Sequence, residues 1–212
     1  MRQQLADEIA TALRARIMSG ELRPGDRIRL EEVASQLGVS ITPVREALLH
    51  LRGEDMVELE PRKGYVVAPL SRQDIRDVFQ LQGDIAGELA ARVAARITDG
   101  QTAQLTAMNR TLARTRTADS IETLEFDFHR AVNRIAEARK LSWFLHTATR
   151  YTPARFYSSD AGWLAGMRED HEALLAAFAA HDQDAARAAM TRHFTDGADR
   201  LVKHLDGLGI WS

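Results

Sequence analysis

The chain has 212 residues, of which 45% are hydrophobic and 27% charged, enough for one large domain or two modest ones with separate cores. It contains no cysteine, which excludes a disulfide scaffold and a thiolate metal site. Its net charge of −2 excludes nucleic-acid binding through an overall positive field.

The first segment, MRQQLADEIA, is polar and amphipathic and lacks the apolar stretch of a secretory signal. No run of about 18 apolar residues follows anywhere, so no membrane span is expected and a cytoplasmic address fits. Helices are predicted at 3–18, 30–37 and 41–53, with Arg23-Pro24-Gly25-Asp26 as the turn after the first. In the third helix Val44, Ala47, Leu48 and Leu51 share one face and point inward. Gly38 lies in the preceding turn, where a positive φ is often needed. Ser40 is placed to cap the third helix, and Pro43 falls in its first turn, where a missing N–H costs little.

Away from the buried face, Thr42 and Arg45 lie near the N-terminal end of that helix. A capped helix N-terminus favours phosphate, and an arginine there can reach guanine in a bidentate contact. Ser40 and Thr42 suit phosphate oxygens. Residues 57–68 read as a β-hairpin whose turn, Arg62-Lys63-Gly64, offers two positive charges and a close backbone approach. Residues 1–70 hold ten Lys/Arg against eleven Asp/Glu, so DNA contact would require a local basic cluster. Spacing alone leaves open a helix-turn-helix that binds nothing and an Arg45 that is merely solvated.

Pro69-Leu70-Ser71 ends the hairpin pattern, and everything after it reads as helix: 71–98, 101–117, 120–137, 141–157, 160–180 and 182–205. Paired alanines recur along these segments, which predicts closely packed helices, and Asp182 is a good N-cap for the last. The fold class is therefore mainly α, with an N-terminal part over 1–70 that carries a small hairpin and an all-α bundle over 71–212.

In the bundle, Glu125 and His129 are four apart and project from one helix face. His171 follows Glu169-Asp170 in another helix, and His193 lies on the last. One carboxylate and three imidazoles suit a divalent cation such as zinc, nickel or manganese. Spacing cannot establish that three helices converge. His50, His146, His181 and His204 are read as surface or satisfied core residues. His171-Glu172 continues without a second His at the spacing of a zinc-protease helix, and neither a nucleophile motif nor a Gly-rich phosphate loop is present. An enzyme is therefore not expected, although a metalloenzyme built on the bundle is the alternative reading.

The strings Gly20-Glu21-Leu22-Arg23-Pro24-Gly25, then Leu37-Gly38-Val39-Ser40-Ile41-Thr42-Pro43-Val44-Arg45-Glu46-Ala47-Leu48, then Pro61-Arg62-Lys63-Gly64-Tyr65-Val66-Val67 closely resemble the GntR family of bacterial regulators. The resemblance implies a winged helix-turn-helix that binds double-stranded operator DNA as a homodimer. It carries Ser40, Thr42, Pro43 and Arg45, with Lys63 and Gly64 on the wing, onto DNA-facing positions; Arg62 joins them on the wing by its charge. Three departures stand out: Ile41 where the family has Arg, the acidic Glu31, and Asp55 where the family has Gly. They predict altered base readout, with more of it falling to Arg45.

Residues 71–205 resemble the helical FCD effector domain of the FadR-type members. The matching motifs are Glu125-Phe126-Asp127-Phe128-His129, Asp170-His171-Glu172-Ala173-Leu174-Leu175, and the stretch from Ala186 to His193. The resemblance implies that Glu125, His129, His171 and His193 ligate a metal, most simply zinc, with Glu125 favoured over Asp127. It also implies a small carboxylate effector whose binding alters DNA affinity. Many members carry an effector-binding Arg where this chain has Gln82-Gly83-Asp84, so the further anchor is either absent or supplied from elsewhere, with Arg150 as the residue named for it and a solvated helix-end charge as its plain reading. The metal is expected either to sense the effector or to serve a purely structural role.

Overall fold

Strong helix formers punctuated by Gly, Pro and capping residues give the local order of the chain. The computed structural model describes residues 2–152 and 161–211, which divide into two compact units, residues 1–72 with 203–212 and residues 73–202.

The first unit contains α1 (Arg2–Met18), β1 (Arg27–Ile28), α2 (Leu30–Leu37), α3 (Ile41–Gly53), β2 (Val57–Glu60) and β3 (Gly64–Val67). Helix α1 packs on α3, burying Leu13 and Met18 with Leu48 and Leu51. The Arg14 guanidinium on α1 donates twice to Glu54, which follows α3, at 2.8 and 2.9 Å, a fork geometry that fixes the two helices in register. Gly38 ends α2 at φ 65°, the left-handed conformation expected from its place in the turn.

The hairpin is present, but it belongs to a three-stranded antiparallel sheet in the order β1-β3-β2. Ile28 faces Tyr65, and Leu59 faces Tyr65 from the other side. Strand β1 has only two residues, too few for any alternation to reveal it. Asp55 sits at φ 59°, which accounts for glycine at the matching position in the resembled family. Asp is among the few other residues that enter this region at modest cost.

The division of the chain differs from the expected 1–70 and 71–212 at its C-terminal end. Residues 203–212 group with the first unit. There the Arg72 guanidinium pairs with Asp206 and lies 4.7 Å from the Trp211 ring centroid, and the Trp211 indole N–H donates to the Leu70 carbonyl. Arg23 donates to the Leu208 carbonyl at 3.0 Å. No local pattern announces these contacts, since they join segments far apart in the chain.

The second unit is built from α4 (Arg72–Ala94), α5 (Asp99–Arg114), α6 (Ala118–Ile135), α7 (Arg139–Ala148), a 3-10 turn (Thr149–Tyr151), α8 (Ala161–Ala179) and α9 (Gln183–Gly207), the last continuing into the first unit. Its core holds Leu89, Val93, Leu105, Phe128, Leu174 and Phe178. The helix predicted over 71–98 stops at Ala94 because Thr98 starts the next one. Thr98 and Gln101 satisfy each other's backbone N–H groups in a capping box. The helix predicted over 141–157 ends at Ala148, and its residues 153–157 lie outside those described, as does residue 160 of the next. Asp182 caps α9 as expected, accepting from the Ala185 N–H at 2.9 Å.

The paired alanines and Gly83-Gly87 bring helices close together. Ala90, Ala94 and Ala186 are fully buried, and Thr191 on α9 donates to the Gly83 carbonyl at 3.1 Å. A Cβ at Gly87 would collide with Thr191 Oγ1 and lie 3.1 Å from the Arg187 carbonyl oxygen. Among the described residues no helix is long and apolar enough to cross a membrane.

Candidate metal centre and nucleic-acid interface

Helix periodicity places Glu125 and His129 on one face of α6, and packing of the bundle brings α8 and α9 to that face. The result unites Glu125, His129, His171 and His193, one ligand atom of each lying within 4.8 Å of all the others. His129 Nε2 lies 3.1 Å from Glu125 Oε1 and 3.1 Å from His193 Nε2. Glu125 Oε1 is also 3.5 Å from His171 Nε2 and 3.2 Å from His193 Nε2. Asp127, the other acidic residue of the motif, is exposed on a different face and stays outside the group.

The residues fit a metal on their own chemistry. Donors bound at about 2.0–2.1 Å around one zinc stand roughly 3.0–3.4 Å apart, close to the spacings found. His171 Nε2 and Glu125 Oε2 are buried and have no hydrogen-bond partner. Such groups are costly unless something else satisfies them. Burial pushes the Glu125 carboxyl up, but His171 and His129 facing it more than offset this and hold it well below the usual carboxylate range. Four helical residues of complementary type, with an ionised carboxylate among them, could hold a divalent cation.

A supporting layer went unseen in the sequence. His171 Nδ1 donates to Asn109 Oδ1 on α5 at 3.0 Å, and the ring stacks on Phe128 with centroids 4.3 Å apart. Asp170 Oδ2 lies 3.8 Å from His193 Nδ1, while its Oδ1 accepts from Arg192 at 2.7 Å. Asn109 carried no sequence signal, since an isolated Asn within a helix has many uses.

A cavity of about 340 Å³ opens beside Glu125, His129 and His193. Arg150, the anchor assigned above, is exposed on the 3-10 turn and is not among the described residues that line the cavity. Among the described residues the arginine on the cavity wall is Arg130, one residue after a metal-ligand candidate. Gln82 lines the cavity too, with its amide donating to the Ala148 carbonyl at 3.0 Å. His146, read as a surface or core residue, is also on the wall. Of the others, His50 pairs with Asp7 at 3.2 Å and His181 contacts the Ala94 carbonyl at 2.9 Å.

In the first unit, Ser40 occupies the N-cap of α3 in an extended conformation. Its side chain makes no capping bond, contrary to expectation, so the hydroxyl is left for another partner. Thr42 and Arg45 are exposed on the first turns of α3, and Arg45 makes no ion pair among the described residues. Pro43 is buried, at odds with its placement among the DNA-facing residues. On the hairpin turn Arg62 and Lys63 are exposed, Arg62 at φ 69° and Gly64 at φ 82°. Lys63 is paired with Glu60 at 2.7 Å, which reduces the charge it offers.

Residues 5–67 match the family described as "Bacterial regulatory proteins, gntR family", and residues 77–196 match the FCD domain. The chain is 26% identical over 190 residues to the HTH-type transcriptional repressor GlaR of Escherichia coli (strain K12), covering 84% of this chain and 86% of that protein. It is 27% identical over 200 residues to the HTH-type transcriptional repressor RspR of the same strain, covering 92% and 87%. Among solved structures, E. coli McbR/YncC aligns with a TM-score of 0.69 at 22% identity, covering 95% of this chain and 98% of that one. At that identity the likeness speaks for the fold.

Proposed function

Since the chain belongs to the GntR family of bacterial regulatory proteins and carries an FCD domain, and is thus a ligand-responsive DNA-binding transcription regulator rather than an enzyme, we propose that it is a homodimeric, cytoplasmic repressor released from its operator by a small organic acid. The N-terminal winged helix (1–70) binds DNA, and the remainder dimerises, holds the metal and receives the effector.

The observation that carries this reading is the convergence of Glu125, His129, His171 and His193 at the mouth of a cavity. Three imidazoles and one carboxylate suit zinc, with nickel or manganese as other occupants. Zinc bound there supplies a Lewis-acidic anchor for a carboxylate oxygen. The chain's own residues hold His171 of the ligand set in place through Asn109 and Phe128.

Arg45, Thr42 and Ser40 on α3 read or position the operator from the major groove, and Arg62, Lys63 and Gly64 follow the duplex at the wing. A two-fold dimer fits two half-sites only at one spacing. An acid that binds the bundle better in a dimer of the wrong spacing lowers DNA affinity by its differential binding alone. A coupling of about 1–3 kcal/mol gives several-fold to hundredfold release.

The test is operator binding by the zinc-loaded full-length protein, followed by fluorescence anisotropy on fragments from upstream of its own coding sequence. Salt-sensitive binding weakened by an organic acid is expected, with the response lost in His193→Ala. Retention of the acid response after complete chelation, with the fold intact, would move the metal to a structural role.

A further inference from the structure

We infer that the effector is an amphipathic monocarboxylate with an aromatic or branched apolar body, and that Arg130 is its second anchor beside the Glu125/His centre. This rests on the proposal that the centre receives an organic acid.

The cavity holds about 340 Å³, room enough for an organic acid with a sizeable body. Phe79, Ile121, Phe126, Leu145, Trp163 and Phe194 give its wall an apolar character. Phe79 and Trp163 are buried and line the cavity. An apolar body gains by covering this surface; a polyhydroxylated one would strip water from its hydroxyls without replacement.

Three of the polar groups on the wall each have a donor already engaged. Gln82 Nε2 donates to the Ala148 carbonyl at 3.0 Å, Ser142 Oγ to the Ala138 carbonyl at 3.2 Å, and Thr149 Oγ1 to the His146 carbonyl at 2.9 Å. Each bond ties a side chain to backbone and withdraws one donor from a sugar acid's hydroxyls. Arg130 is not tied in this way. It lines the cavity, is four residues from Phe126 on α6, and makes no hydrogen bond or ion pair among the described residues. A guanidinium with five free donors, beside a cluster built for a cation, recognises a carboxylate. Glu122 on the same wall disfavours a second carboxylate on the ligand.

Phenylacetate, phenylacetamide, succinate and gluconate are the probes, titrated into the zinc-loaded full-length protein by calorimetry and into its operator complex by anisotropy. Phenylacetate is expected to bind at least about tenfold more tightly than succinate or gluconate, with phenylacetamide inert. In Arg130→Gln, phenylacetate affinity is expected to fall about tenfold or more, while zinc retention against a chelator is unchanged. Tighter binding of gluconate or succinate, or full phenylacetate affinity in Arg130→Gln, overturns the inference and leaves the organic-acid reading standing. Failure of all three acids to bind overturns both.

Discussion

His171 Nδ1 donates to Asn109 Oδ1 at 3.0 Å, which leaves Nε2 as the nitrogen with a lone pair, aimed at Glu125. A helix that contributes no ligand thereby sets the tautomer of one that does. The consequence is measurable. Asn109→Leu is expected to weaken zinc binding about 10–100-fold in chelator competition, and Asn109→Asp to restore most of it. Unchanged zinc affinity in Asn109→Leu would show that the stack on Phe128 alone holds the ring.

The wing and the recognition helix differ in how free their charges are. Arg45 is exposed and unpaired, so Arg45→Ala is expected to cost about 1–3 kcal/mol of operator affinity and to relax base preference at one position of each half-site. Competition among operators substituted one base pair at a time measures both effects.

Lys63 is held by Glu60 at 2.7 Å, whereas Arg62 beside it has no such partner. Arg62→Ala is therefore expected to reduce the salt dependence of binding by about one released counterion per site. Lys63→Ala should reduce it less, and Glu60→Gln should strengthen binding across all sequences. Equal slopes for the two alanine variants in a salt titration would count against this ranking.

Gly87 lets α4 reach α9, and a methyl group there has nowhere to go. Gly87→Ala is expected to destabilise by about 1–3 kcal/mol in urea denaturation, the usual cost of overpacking a core. Gly100, in α5, meets nothing within 4 Å of an added Cβ, so Gly100→Ala is the control and should be neutral or stabilising.

The C-terminal residues group with the N-terminal unit through Trp211, whose indole donates to the Leu70 carbonyl and lies under the Arg72 guanidinium. Loss of one such hydrogen bond removes about 1 kcal/mol. Trp211→Ala is accordingly expected to lower amide protection across residues 1–72 in native-state hydrogen exchange, and Trp211→Phe to lower it too, since the stack alone remains. Protection unaltered in both variants would mean the tail makes no contribution to that unit.

The amino-acid sequence by itself determined what is local. Periodicity marked most helices, the hairpin turn and the caps at Gly38 and Asp182, because these depend on residues within a few positions of each other. It also supplied the chemical types of the site, Glu125 and His129 one turn apart, and an exposed Arg45 at a helix start. Tertiary structure alone decided what lies between distant segments: that His171 and His193 join Glu125, that β1 pairs with β3, that Asn109 supports the centre and that Arg130 faces the cavity while Arg150 does not. The reason is that a helix presents a side chain in every direction around its axis. Which direction becomes interior is fixed by how the bundle buries its apolar faces, a choice made by all the helices at once rather than by any one stretch of sequence.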